Sequence, residues 1–178
     1  MKLHLGCGGV VLPGYLNIDS HVEGRPAEVF KDDAVTLKNF AEKYPNAEVE
    51  EIISFHLFEH MPRPGAHCHN AETALKTWFN VLRPGGTLII ECPNFEEVVK
   101  EYVGGNKDRI NNIFGLHRFP GDVHQWGYTP DSIRPLLEAN GFYVVSVGPG
   151  TDYHAKLEPC MRVEAMKTWN SFRSNVVI

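Results

Sequence analysis

Hydrophobic positions along this chain fall into short runs separated by polar or mixed stretches. Several runs, such as the one at 87–92, are continuous rather than alternating, which is typical of strands covered on both faces of a sheet. The pattern therefore predicts seven strands, at 3–5, 15–18, 28–30, 49–55, 87–92, 142–147 and 161–166.

Helical spacing fills several of the intervals between these runs. Apolar residues at positions 75, 78, 79 and 82 recur at helical intervals, and Asn70 can cap a helix over 70–82. Thr129 and Pro130 mark the start of a second helix, over 129–141. A weaker helical pattern covers 35–44.

Strands that alternate with helices predict an α/β fold. We expect a Rossmann-like open twisted sheet that is mostly parallel, with helices on both faces. No helical pattern separates the last two strands, and a loop connection suits an antiparallel pair, so the C-terminal strand is predicted to be antiparallel. The 178 residues fit a single domain, 1–178.

Residues 104–128 follow neither the helical nor the strand period. A long irregular segment inside a compact domain is usually functional or disordered. This one contains histidines and all three aromatic residue types, and it begins with Gly104 and Gly105, which suit a hinge. We interpret it as a lid-like insertion.

Composition excludes several classes of protein. The net charge is −5 and no cluster of lysines or arginines stands out, so a nucleic-acid partner is not expected. No run approaches the length of a membrane span, and no signal-peptide core is visible near the N-terminus. The four cysteines are scattered, which favours reduced thiols and a cytoplasmic location.

The stretch KLHLGCGGVVLPGYLNID places a glycine-rich turn after the first strand and an acid, Asp19, at the end of the second. A dinucleotide-binding fingerprint needs a full helix between these features, with the acid about 20 residues on. Asp19 instead follows Gly6 by 13 positions, with Pro13 and Gly14 in between. A helix N-terminus for a pyrophosphate is therefore missing. Close backbone approach and a carboxylate for ribose hydroxyls remain, and S-adenosylmethionine satisfies these constraints.

The chain resembles the class I S-adenosylmethionine-dependent methyltransferases, especially the methyltransferase type 11-like group. The similar motifs, in the family's order and over nearly the whole chain, are LHLGCG, LNID, KDDAVTL, EIISFHLFEHM, VLRPGGTLIIECP and GYTPDSIRPLLEANGF. The chain departs from the family in lacking a helix before the first strand and in having only a turn after the glycine motif. These departures leave the cofactor less covered, so we expect closure by residues 104–128 or by a second subunit in a homo-oligomer.

Cofactor-binding residues are predicted at the carboxyl ends of the first four strands. The turn and the acid supply Gly6, Gly8 and Asp19. The resemblance implies that Cys7 lines the site through its backbone. It also implies that an acid after the third strand binds adenine, where Asp33 is preferred and Asp32 is the alternative. His56 follows the fourth strand, where open α/β sheets bind ligands, and is preferred to Phe55 as the residue that flanks the cofactor.

Acceptor-side residues are predicted in the irregular segment. His124 is the predicted general base, because histidine titrates near neutrality; His117 and His60 compete with it. His117, Trp126 and Tyr128 are predicted to bind the acceptor. Metal spacing is incomplete both at His56 and His60, four positions apart, and in the HCH sequence at 67–69, so no metal is expected.

The predicted activity is methyl transfer from S-adenosylmethionine to a small-molecule or sugar-like acceptor, at oxygen or nitrogen, with S-adenosylhomocysteine as product. The D/N-P-P-Y signature of enzymes that methylate nucleobase amines is missing. The alternative is an S-adenosylmethionine-binding protein without turnover, in a regulatory or scaffold role. A nicotinamide oxidoreductase is disfavoured by the missing phosphate-binding helix.

Overall fold

A computed structural model describes residues 1–66, 69–119 and 121–169. The predicted boundary at 178 and part of the HCH sequence, His67 and Cys68, lie outside the described residues. The strands are β1 (Lys2–Leu5), β2 (Tyr15–Asp19), β3 (Phe30–Lys31), β4 (Val49–Phe55), β5 (Leu82–Pro93), β6 (Phe142–Pro149) and β7 (Cys160–Lys167). The α-helices are α1 (Lys38–Lys43), α2 (Ala71–Val81), α3 (Phe95–Val103), α4 (Ile110–Phe114) and α5 (Pro130–Ala139). Short 3₁₀ turns cover Phe58–His60, Lys107–Arg109 and Tyr153–Lys156.

The strands form one sheet in the order β3-β2-β1-β4-β5-β7-β6. Strand β7 runs antiparallel to both of its neighbours, and the pairs from β3 to β5 are parallel. The predicted mostly parallel sheet with an antiparallel C-terminal strand is confirmed. Because β1 lies between β2 and β4, the carboxyl ends of these three strands meet at one edge of the sheet, where open α/β sheets bind ligands.

The two predicted helix caps, Asn70 and Thr129, are present in the structure. The Asn70 side chain accepts a hydrogen bond from the Thr73 N–H at 2.9 Å, which caps α2. Thr129 and Ser132 form a capping box at α5. The apolar face of α2 then buries Trp78 and Leu75 completely in the core.

The segment after β5 corrects one expectation. Residues 107–114, part of the stretch predicted to be irregular, form a 3₁₀ turn and α4, and they follow helix α3, which was not predicted. Phe95, Val98 and Tyr102 carry a helical spacing that is visible in the sequence, but the many charged residues of this helix leave only Val98 fully buried. The lid-like role of 104–128 stays a prediction.

No helix in the described ranges is long and apolar enough to cross a membrane.

Candidate functional site

The turn after β1 adopts the left-handed backbone conformation that its glycines favour. Gly6 and Gly8 have φ of 66° and 55°, in the left-handed region that favours glycine. A Cβ atom on Gly6 would lie 2.8 Å from Leu57 Cδ2, so the turn packs directly against the segment after β4. A side chain at position 6 would therefore push these two segments apart.

Asp19 is fixed against this turn. Its Oδ2 accepts a hydrogen bond from the Gly8 N–H at 2.8 Å, and its Oδ1 accepts one from the His21 N–H at 2.8 Å. Each carboxylate oxygen has a second lone pair. The structure thus brings Gly6, Gly8 and Asp19 together, with a carboxylate that can still accept hydrogen bonds from a ligand.

Cys7 lies in the same turn and is buried. Burial and the nearby charge of Asp19 raise the pKa of the Cys7 thiol to about 11. The side chain is therefore an uncharged thiol near neutral pH, which fits a residue whose backbone, rather than its sulfur, faces a ligand.

The two acids after β3 have different partners. Asp32 is buried, and its carboxylate accepts hydrogen bonds from the backbone N–H groups of Asp33 and Phe40, the latter in α1. Asp33 is partly exposed; its Oδ1 accepts from the N–H groups of Val35 and Thr36, and its Oδ2 lies 3.1 Å from His69 Nε2. Asp33 is the more exposed of the two acids, and its role toward adenine stays a prediction.

His56 has different surroundings from those predicted. Its ring stacks on His154, with centroids 3.8 Å apart, and its nitrogens lie 3.2 to 3.8 Å from carboxylate oxygens of Glu59, Asp152 and Glu158. Burial opposes the charged imidazole, but the hydrogen bond and charge of Glu59, with the charges of the other two acids, raise the pKa of His56. These contacts make His56 a countercharge for buried acids, and its place beside the cofactor stays a prediction.

Glu59 is the residue that sequence reasoning undervalued. It lies in the 3₁₀ turn after β4 and is 3% exposed. Neither carboxylate oxygen accepts a hydrogen bond of good geometry within the described part of the chain. Burial alone would raise the pKa of Glu59, but His56, His60 and His124 together hold it below its ordinary value. The sequence shows Glu59 and His60 side by side. It does not show that His124, 64 positions after His60, lies next to them.

Residues 123–126 are hydrogen bonded to this turn. The N–H groups of Gln125 and Trp126 both donate to the Glu59 carbonyl, at 2.8 and 3.2 Å, and the Gln125 side chain donates to the His60 carbonyl at 2.7 Å. The His124 ring meets the His60 ring edge-on, with centroids 4.9 Å apart. This end of the predicted lid is therefore part of the site's wall.

An open cleft of about 290 Å³ lies beside this wall. His124 and the half-exposed Trp126 line it, and the remaining lining residues are Phe95, Ile113, Phe114, Gln125 and Gly127. The cleft is mostly apolar, with a few polar groups among its lining residues.

The other two predicted acceptor residues lie elsewhere. His117 is exposed, has φ of 54°, and its Nε2 lies 3.0 Å from the Phe114 carbonyl, so it does not line the cleft. Tyr128 corrects a prediction: it is 1% exposed and its ring packs on Phe58 in the core, with centroids 4.7 Å apart. Burial makes it a packing residue, out of reach of an acceptor.

Comparison with known proteins identifies the family of this chain and structures with a similar fold. A family model described as a methyltransferase domain matches residues 9–147. No curated protein gives a significant match. Among solved structures, a SAM-dependent methyltransferase from Methanosarcina mazei superposes with a TM-score of 0.62 at 16% identity, covering 94% of this chain and 92% of that one.

Two further structures show how widely the fold is used. Magnesium protoporphyrin IX methyltransferase from Synechocystis, solved with bound S-adenosylhomocysteine, matches with a TM-score of 0.58 at 17% identity, over 94% of this chain and 74% of that one. The CurJ carbon methyltransferase matches with a TM-score of 0.59 at 15% identity, over 94% and 48%. Their acceptors differ, so the fold does not identify an acceptor.

Proposed function

We propose that this chain, which belongs to the methyltransferase-domain family and uses S-adenosylmethionine as its cofactor, methylates a small-molecule or sugar-like acceptor at oxygen or nitrogen. The observation that carries the proposal is the cleft beside His124 and Trp126. It has room for a small ligand, and a Trp ring can stack on a sugar or an aromatic group.

The cofactor is proposed to lie over the glycine turn. Gly6 and Gly8 allow close backbone approach, Asp19 accepts hydrogen bonds from the ribose hydroxyls, and Asp33 binds the adenine amino group. The free lone pairs of Asp19 and the open edge of Asp33 support this arrangement. Because the sulfonium already makes the methyl group electrophilic, the protein's main task is to align the acceptor with it.

His124 is the proposed residue on the acceptor side. Its Nδ1 lies 2.7 Å from the Asn112 carbonyl, and a carbonyl only accepts, so Nδ1 carries the hydrogen. The neutral ring then has its lone pair on Nε2. That lone pair can take a proton from an acceptor hydroxyl or amine, a contribution of typically about 10²–10⁴-fold when it operates.

The proposed cover over the acceptor is narrower than the whole of 104–128. Residues 123–126 are hydrogen bonded to the turn at 58–60 and form the wall of the site. Movement is therefore proposed for 107–119, which carries α4 and contributes Ile113 and Phe114 to the cleft.

Asp19→Asn tests the cofactor site. Replacing the carboxylate weakens two charge-assisted hydrogen bonds to ribose, so S-adenosylhomocysteine affinity measured by calorimetry should fall at least tenfold. Asp131→Asn, an exposed acid at the start of α5, is the matched control and should bind normally. Unchanged affinity in Asp19→Asn would contradict the ribose assignment.

Trp126→Ala tests the acceptor site. Labelled S-adenosylmethionine should first be incubated with a pool of small metabolites, and the methylated product identified by mass spectrometry. The substitution should then raise KM for that acceptor severalfold while S-adenosylhomocysteine affinity is unchanged. The absence of any labelled small-molecule product would overturn the acceptor class.

A further inference from the structure

Glu59, His60 and His124 form a compact group beside the cleft. One ligating atom from each lies within 4.8 Å of the others. Glu59 is almost fully buried, and both of its carboxylate oxygens lack a well-formed hydrogen bond to the described residues. Buried carboxylates are costly unless they are paired and hydrogen bonded or bind a metal.

Both imidazoles are oriented in the way that metal-binding histidines usually are. His60 Nδ1 lies 3.1 Å from the Val123 carbonyl, and His124 Nδ1 lies 2.7 Å from the Asn112 carbonyl. Because carbonyl oxygens only accept, each Nδ1 carries the hydrogen and each neutral ring keeps a lone pair on Nε2. A backbone carbonyl that accepts from the other ring nitrogen, and so fixes the ring and its tautomer, is common around a bound metal.

The backbone holds these residues in place across the fold. Three hydrogen bonds join residues 125 and 126 to the carbonyls of Glu59 and His60. These hydrogen bonds hold the 58–60 turn and residues 125–126 together, so the backbones that carry the three side chains are already adjacent.

We propose that Glu59, His60 and His124 bind a divalent transition-metal cation such as Zn²⁺. Two imidazole nitrogens and one carboxylate oxygen suit such a cation better than Mg²⁺ or Ca²⁺, which prefer oxygen ligands. Bonds of about 2.0–2.2 Å require ligand atoms somewhat closer than 4.8 Å, a difference that side-chain rotation closes. Three protein ligands leave a fourth position open.

The neighbouring groups around His56 are weaker metal sites because their atoms already have partners. Asp152 Oδ2 lies 2.6 Å from His154 Nδ1, and Asp152 Oδ1 accepts from the His154 N–H. Burial and nearby acids raise the pKa of the Cys160 thiol, so it stays protonated. His56 does approach Glu59 at 3.2 Å, but it is shared with Glu158 and Asp152.

The inference goes beyond methyl transfer, and metal binding can be measured without turnover. Its consequence for the reaction rests on the proposed function. A cation held by His124, which lines the cleft, would act there as a Lewis acid and would make an acceptor hydroxyl bound to it more acidic. His124 is then a ligand and not a free base, so the two roles exclude each other.

Zinc titration tests the site. Chelator-treated protein should bind one Zn²⁺ per chain by calorimetry, and Co²⁺ should give the visible absorption of a low-symmetry site. His124→Gln and Glu59→Gln should each lower Zn²⁺ affinity at least tenfold. His154→Gln, a histidine of the neighbouring group, is the matched control and should bind as the wild type does.

Three results would overturn the proposal. They are no Zn²⁺ binding by the wild type at micromolar concentration, equal affinity in all variants, and a loss confined to His154→Gln. If His124→Gln fails to fold, Glu59→Gln decides. Turnover that falls in His124→Gln while Zn²⁺ affinity is unchanged would assign His124 to the base role, and a failure of Asp19→Asn to lose cofactor would affect only the proposed function.

Discussion

Two buried glutamates, Glu91 and Glu59, stand in contrasting surroundings. Glu91, at the end of β5, is fully buried and accepts hydrogen bonds from the N–H groups of Thr151 and Asp152, the Thr151 hydroxyl and the Arg162 guanidinium. Glu59 is buried equally well but is surrounded by imidazoles and accepts no well-formed hydrogen bond from the described residues.

The difference separates a structural carboxylate from one available to a ligand. Glu91 faces Arg162 directly across the β5–β7 ladder and fixes the loop that begins at 150. Every strong acceptor position on it is used by the fold. Glu59 is placed just as rigidly by its backbone, yet its oxygens accept no hydrogen bond of good geometry from the described residues, and the imidazole of His56 lies 3.2 Å from one of them.

The largest expected effect is on stability in Glu91→Gln. The amide replaces one acceptor oxygen with a donor that faces other donors, and it leaves Arg162 without its buried partner. Losing one member of a buried, hydrogen-bonded pair costs about 3–5 kcal/mol, so the free energy of unfolding in urea should fall by roughly 3 kcal/mol. Glu96→Gln, at an exposed first-turn acid of α3, is the control and should change little. A loss below about 1 kcal/mol would contradict the structural role of Glu91.

Lowering the pH should reduce the destabilisation caused by Glu91→Gln. Burial opposes the charged form of Glu91, but the hydrogen bonds from Asp152, Thr151 and Arg162 outweigh it and lower its pKa. A lowered native pKa means that Glu91 stabilises the fold fully above the unfolded-state pKa of about 4.3, and that this contribution is lost as pH falls through the native value. The stability gap between wild type and Glu91→Gln should therefore narrow from pH 7 to pH 3. A constant gap would show that the carboxylate charge is not what matters.

The smallest effect is expected for Glu59→Gln without metal. The change removes a buried charge that pairs with His56 at 3.2 Å, and His56 can lose its proton or rely on Glu158 and Asp152. The free energy of unfolding should fall by less than it does in Glu91→Gln, because His56 keeps two other acidic partners. Added Zn²⁺ should then stabilise the wild type and not the variant. A metal-free loss as large as that of Glu91→Gln would make Glu59 a second structural carboxylate.

Local patterns predicted the elements of this fold well. Strand runs, the caps at Asn70 and Thr129, and the glycine turn with Asp19 all depend on neighbours within a few positions, and the chain encodes them directly. Helix α3 was missed because its charged residues obscured the spacing of Phe95, Val98 and Tyr102. Tyr128 was misassigned because an aromatic residue in a polar loop gives no sign of whether the core or a ligand receives it.

The sequence by itself determined the alternating elements, the mostly parallel sheet and the glycine turn beside Asp19, since hydrophobic period and turn chemistry are properties of short segments. Only the tertiary structure decided that β7 lies between β5 and β6, and that His124, 64 positions after His60, lies beside Glu59 and His60. Such meetings depend on how strands order themselves and on backbone hydrogen bonds between distant segments. The hydrophobic pattern of a short segment cannot predict these long-range contacts. The free energy that selects them comes from interactions between segments, not from within one segment.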